Sequence, residues 1–296
     1  MSTCILICTY ESNQLLALFT GKQITSLWKN HPPIFFCGVN CRHNSSFLDL
    51  RVDSADWLGI IMDAVDELIK KRFESVYVVL DDHPPIGLCE EETLNNILPK
   101  ALIELEAINI SLLGSGYGRE MLGEERQLSG ITVEALPDSY RWRYSLHPGI
   151  WHLESLRDLL SILESESISP KGRSPWDFER ICGSDRFLAS LPPRNRCFRV
   201  TSSLPTAAIG DQILSTLLRG VGRVMRSVAG GFGGSKAWLA VSQRFDFVNH
   251  YYPGIYPVFW RGVLVQGAIN PELVRFCRFF RKKKLSHQLR VGFSTV

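Results

Sequence analysis

The sequence predicts an α/β fold built on a mainly parallel sheet, and three observations carry that expectation. Through the first ~115 residues, short apolar runs rich in β-branched side chains alternate with amphipathic helical segments, the pattern of βαβ units. One of those runs, Ser75-Val-Tyr-Val-Val-Leu80, has five consecutive apolar residues, as a strand buried on both faces does. The run then stops abruptly at Asp81, Asp82 and His83, and Pro84 and Pro85 cannot extend a ladder. Two carboxylates and an imidazole at the carboxyl end of a central strand lie where open α/β sheets bind their ligands.

The elements follow in order. Cys4 to Thr9 reads as the first strand, and Asn13 to Lys29 has helical spacing through Leu15, Leu18/Phe19 and Leu27/Trp28, broken by Gly21. Pro33 to Val39 is a second strand. Asp53 or Ser54 can cap a helix from Asp56 to Phe73 with Trp57, Ile61, Ala64, Val65 and Leu68 inward. After the Ser75 strand come a helix over Glu91 to Ala107 and a strand over Ile108 to Leu113. Past Gly118 the rhythm changes. Tyr140 to Trp151 is aromatic and basic, His152 to Glu164 reads as a helix, and Pro175 suits a helix's first turn. Asp211 to Val228 is helical, with Leu214, Leu217/Leu218, Val221, Val224/Met225 and Val228 on one face and Arg219, Arg223 and Arg226 elsewhere. Core packing is the default for such a stripe. These boundaries predict a domain over 1–270, with a regular half (1–118) and a less regular half (119–270), and a basic aromatic tail over 271–296.

At 296 residues, 45% hydrophobic and 21% charged, the chain can bury a large core. A net charge of +3 is too mild to imply nucleic acid. None of the eight cysteines forms a C-x-x-C pair, and several fall within apolar strands, which predicts a reducing, cytoplasmic setting. The first apolar run lacks a basic flank and reads as a strand, not a signal peptide. No apolar stretch approaches the ~20 residues that cross a bilayer. The tail from Arg275 to Arg290 interleaves Phe276, Phe279 and Phe280 with seven basic residues and suits an anionic membrane surface; the 211–228 helix is a second candidate for peripheral contact, at the inner face of the membrane.

Asp81, Asp82 and His83 are the leading candidate site. A carboxylate cluster needs a cationic partner, and a divalent metal carrying a diphosphate is the usual one. The alternative is a strand-end turn in which Asp82 caps the next segment. His250 in Asn249-His-Tyr-Tyr252 either completes a metal site or is a packed core histidine. Pro175-Trp-Asp-Phe-Glu179 is either a helix start or a source of catalytic carboxylates. Gly114-Ser-Gly-Tyr-Gly118 lacks the last glycine of a dinucleotide fingerprint, since position 119 is Arg, and no P-loop sequence is present.

With its Rossmann-like first half, its acidic strand end and its less regular second half, the chain resembles the GT-A-fold glycosyltransferases. More narrowly, Tyr144-Ser-Leu-His-Pro-Gly-Ile-Trp151, Pro175-Trp-Asp-Phe-Glu179 and Trp260-Arg-Gly262 are similar to motifs of bacterial nucleotide-diphospho-sugar transferase-like proteins. The resemblance covers most of residues 4 to 262. It implies a GT-A-like sheet with a nucleotide-binding half over 1–118 and a smaller mixed acceptor half over 119–270, with Thr9 and Tyr10 lining a nucleobase pocket. Asp81 and Asp82 would meet the ribose and a Mn²⁺ or Mg²⁺ ion, and His83 would join the metal. It also implies aromatic acceptor loops, with Trp176 and Phe178 against sugar rings, and an inverting transfer from a nucleotide-sugar to a glycan or lipid-linked acceptor, a step of cell-surface polysaccharide synthesis. Glu179 would serve as general base, with Asp177 second, and Arg141 or Arg143 would meet phosphate. Two departures stand out: His147 occupies a Gln position, and His83 an aromatic one in the narrower group, whose pattern need not bind an ion. The rival readings are a non-catalytic nucleotide-sugar-binding protein and another phosphate-handling α/β enzyme such as a nucleotidyltransferase.

Overall fold

The structure, a computed structural model, describes residues 2–9, 13–38, 47–48, 57–113, 123–138, 140, 142–166, 178, 196–203, 217, 220–222, 224–225, 227–228, 250–265, 268–279 and 285. Its centre is a mixed eight-stranded sheet in the order β2-β1-β3-β7-β4-β8-β6-β5. These strands are β1 (Thr3–Cys8), β2 (Ile34–Cys37), β3 (Ser75–Leu80), β4 (Ala107–Ser111), β5 (Glu125–Leu128), β6 (Ile131–Leu136), β7 (Gly149–His152) and β8 (Arg196–Ser203). β1 pairs in parallel with both β2 and β3, as the alternating pattern predicts. β7 runs antiparallel between β3 and β4, β8 is parallel to β4, and the β5–β6 hairpin closes the far side.

Four helices cover this sheet: α1 (Gln14–Leu27), α2 (Trp57–Lys70), α3 (Leu98–Glu104) and α4 (Leu153–Glu166). Alternation along the strands sorts their side chains. Cys4, Leu6, Val76, Val78 and Trp151 pack with α2 and α4, while Ile5, Ile7, Tyr77, Val79 and Ile150 pack with α1 and α3. In α2, Trp57, Ile61, Ala64, Val65 and Leu68 are all buried, the stripe its spacing predicts.

Several expectations change. Gly21 does not break α1; the helix runs through it. A Cβ there would sit 2.8 Å from Phe36 Cζ, so glycine lets α1 lie close over β2. The aromatic stretch Tyr144 to Trp151, given no element by its sequence, enters the core. Its end forms β7 in the middle of the sheet, with Tyr144, Leu146, Ile150 and Trp151 in the core, and a Cβ at Gly149 would lie 3.3 Å from the Ile110 carbonyl oxygen. Phe178 is no sugar platform: it is fully buried, with its ring 5.6 Å from Trp57 and 6.4 Å from Trp151.

A third core lies beyond α1. Short strands β9 (Tyr251–Tyr252) and β10 (Val258–Phe259) pair, as do β11 (Leu264–Val265) and β12 (Ala268–Ile269), and the helix Pro271–Phe279 follows. Leu273, Phe276 and Cys277 of that helix pack with Leu16, Phe19, Tyr251, Phe259 and Val263. Phe276, expected on a lipid-facing tail, is thus a core residue, 4.6 Å from the Tyr251 ring. The helical positions described between 217 and 228 depart the other way: Leu217, Val221, Val224, Met225 and Val228 are exposed, not buried. No helix among the described residues is long and apolar enough to cross a membrane.

Candidate functional site

Strand order reverses between β1 and β3, and the candidate site occupies the carboxyl ends of these two strands. The ladder carries both past their last regular residues, with Asp81 N–H donating to the Cys8 carbonyl (3.1 Å) and Thr9 N–H to the Cys37 carbonyl (2.9 Å). Thr9 and Asp81 therefore face each other, and Thr9 Oγ1 donates to Asp81 Oδ2 at 2.8 Å. Asn13, just before α1, also hydrogen-bonds the Asp81 carboxylate, and Thr20 Oγ1 of α1 donates to the Asp81 carbonyl.

This carboxylate is 8% exposed. Burial, and then the neighbouring Asp82 charge, push its pKa from 3.8 to about 7 against the hydrogen bond from Thr9, the charge of His83 and the hydrogen bond from Asn13. Asp81 is therefore a carboxyl group that still holds much of its proton near neutrality.

Asp82 and His83 form a second unit. His83 Nδ1 lies 2.6 Å from Asp82 Oδ1, and Nε2 lies 2.7 Å from the Trp260 carbonyl oxygen. Both partners are acceptors, so both ring nitrogens carry protons and the ring is an imidazolium. Burial opposes that charge, but Asp82, the Trp260 carbonyl and Asp81 outweigh it, so the His83 pKa is raised. The same pairing overcomes burial at Asp82 and lowers its pKa.

The turn over this pair comes from the far end of the chain. Pro85 bridges to Val258, Ile86 N–H donates to Pro257, Val263 N–H donates to the Asp82 carbonyl, and Tyr256 Oη donates to the His83 carbonyl. Gly262 has φ +75°, and a Cβ there would lie 2.1 Å from Asp82 Oδ2, so only glycine lets the Trp260-Arg261-Gly262 turn close on the carboxylate. Asn270 holds that turn through Nδ2 to the Gly262 carbonyl (3.1 Å).

His147 also joins this corner. Its ring centre is 5.2 Å from that of His83 and 6.3 Å from Trp260, with Nδ1 against Ser145 Oγ. Burial and then the positive His83 push its pKa down to about 3, so it is neutral. His250 packs its ring 5.2 Å from Trp260 and places Nε2 at 3.0 Å from Glu272 Oε2. Burial and Arg261 push its pKa down to about 4, so the ring beside that carboxylate is neutral.

The expected metal set does not fit this arrangement. A His83 with protons on both nitrogens has no lone pair to offer a cation, and His250 is turned to Glu272. Among the described residues no group of three His, Cys, Asp or Glu side chains is placed to hold a metal ion. Arg143, proposed for phosphate, is instead buried, paired with Asp138 and set over the Tyr144 ring. Tyr10, Arg141, Trp176, Asp177, Glu179 and the Gly114–Gly118 segment lie outside the described residues. Of the predicted site residues, the fold thus brings together Thr9, Asp81, Asp82 and His83. It adds His147, Trp260, Gly262 and Asn270; for these the only sequence signals were the Trp260-Arg-Gly262 triplet and the unexpected His147.

No protein-family model matches the chain, and no curated protein sequence matches it. Among solved structures, A197 from STIV aligns over 69% of this chain and 82% of its own, at 12% identity and a TM-score of 0.34. Mannose-1-phosphate geranyltransferase from Thermus thermophilus aligns over 69% of this chain and 75% of its own, at 15% identity and a TM-score of 0.34. S. aureus TarS 1-349 aligns over 84% of this chain and 74% of its own, at 14% identity and a TM-score of 0.34. At these scores the likenesses do not establish a shared fold, and the reading of the site rests on its own residues.

Proposed function

We propose that the corner at Thr9, Asp81 and Asp82 binds the nucleoside diphosphate of a sugar donor and that the protein transfers the sugar to a hydroxyl acceptor. The observation that carries this reading is Asp81 itself: a carboxyl group kept in a buried, unfavourable setting, with directed donors, where strand order reverses. Such a carboxylate accepts hydrogen bonds from ribose hydroxyls, and Thr9 beside it borders the base. Arg261, half-exposed on the closing turn with Nη1 3.5 Å from Glu272 Oε1, would turn from that carboxylate to offer a cation to the diphosphate.

In the transfer, the acceptor oxygen bonds to the anomeric carbon as the bond from that carbon to the phosphate oxygen breaks. The nucleoside diphosphate departs with the bonding pair, and the acceptor proton passes to a carboxylate. Glu179, with Asp177 second, is proposed for that proton. No step runs through a metal, because His83 is committed to Asp82 and Trp260.

Thermal unfolding with UDP-, GDP- and CDP-sugars tests this. The midpoint should rise with at least one donor, to the same extent with Mn²⁺, Mg²⁺ or chelator, and the rise should vanish in Asp81→Asn. No shift with any donor, or a full shift in that variant, would overturn the assignment. Neutralisation of Asp82 by His83 favours a second reading, binding without turnover. Release of free nucleoside diphosphate in the presence of acceptor glycans separates the two.

A further inference from the structure

Every large apolar residue at the helical positions described between 217 and 228 lies open to water. Leu217 is 61% exposed, Val221 49%, Val224 64%, Met225 42% and Val228 53%. At 3.6 residues per turn these five positions form one continuous stripe. Gly222 is buried, while a Cβ at Gly220 would meet nothing within 4 Å. The described positions thus present their large apolar side chains outward, where water alone is an unfavourable neighbour.

The surrounding sequence indicates what covers the stripe. Residues 212–245 contain no Asp or Glu but carry Arg219, Arg223, Arg226, Lys236 and Arg244. Self-association through the stripe would bring two such acid-free, cationic segments together, at a repulsive cost. A bilayer surface bearing anionic lipid matches both features, because its acyl boundary accepts Leu, Val and Met while its headgroups neutralise guanidinium groups. We propose that the 217–228 helix is an interfacial element that seats this protein on a membrane surface containing anionic lipid. The proposal is independent of the chemistry at Asp81.

The test is sedimentation of the full chain with vesicles of phosphatidylcholine alone and of phosphatidylcholine mixed with phosphatidylglycerol, at low and high salt. Binding is expected to the mixed vesicles only and to weaken with salt. The double variant Val221→Glu/Val224→Glu alters exposed positions and so should keep the wild-type unfolding midpoint, yet lower the bound fraction about tenfold. Arg223→Glu/Arg226→Glu should lower it as well. No binding of wild type to mixed vesicles overturns the proposal, as does undiminished binding of the first variant. A concentration-dependent dimer, seen by analytical ultracentrifugation and abolished by Val221→Glu/Val224→Glu, would assign the stripe to a second copy of the chain and overturn it equally.

Discussion

Asp81→Asn should stabilise this protein at neutral pH, and the size of the gain should depend on pH. In the folded protein the carboxyl keeps its proton up to about pH 7, whereas in the unfolded chain it loses it near 3.8. Between those values the native state binds more protons than the unfolded state, so stability falls as pH rises, by about 1.4 kcal/mol per unit. A shift of roughly three units sets a ceiling of about 4 kcal/mol at pH 7 and above, with no further change from this group beyond that point. Asparagine keeps an acceptor for Thr9 and carries no charge, so the variant lacks this slope. Urea denaturation of wild type and variant at steps from pH 4.5 to 8 reads the difference directly, and groups common to both largely cancel. The gap should open from about 1 kcal/mol at pH 4.5 to about 2–4 kcal/mol at neutral pH. A gap that stays constant across the range, or a variant less stable at pH 7.5 than wild type, would refute the account of Asp81 as a carboxylate ionised at the fold's expense.

Three further substitutions probe the corner and the core. His83→Gln removes the charged link between Asp82 and the Trp260 carbonyl and should cost about 2–3 kcal/mol in urea denaturation. The wild-type link is fully present below pH 6.5 and lost as pH rises through the raised His83 pKa; it is lost too as pH falls through the lowered Asp82 pKa, and the variant should lack both limbs. Gly262→Ala forces a side chain into a left-handed backbone and against Asp82 Oδ2, with an expected loss of about 1–3 kcal/mol and weaker nucleotide binding; unchanged binding would show that the closing turn does not shape the site. Phe178→Ala should cost about 3–5 kcal/mol of stability while leaving the donor-induced thermal shift intact, because this ring lies in the core beside Trp57 and Trp151; a selective loss of the shift would restore it to the site.

Local pattern sufficed for the first half of the fold. Alternating β-branched runs and amphipathic stripes placed β1, β2, β3, β4, α1 and α2 within a few residues, and α3 within the longer helix expected over Glu91 to Ala107, since each element's own periodicity declares which face is buried. The acidic strand end at Asp81 was equally visible, because a break from Val-Val-Leu to Asp-Asp-His is a feature of consecutive residues. The strand Gly149–His152 was not. It is four residues long and set among aromatics, and only its insertion between β3 and β4 makes it a strand. The chemistry of the corner depended on contacts across the chain as well. His83 reads as a free imidazole in the sequence, but the Trp260 carbonyl, 177 positions away, fills its second nitrogen and excludes it as a metal ligand. The stripe on 217–228 shows the same limit, since spacing sets which residues share a helix face, and only the packing of the whole chain decides whether that face meets protein or solvent. Periodicity and polarity are properties of neighbours in sequence and survive without a fold. Burial, protonation and ligand geometry arise from groups that come together only when distant segments meet.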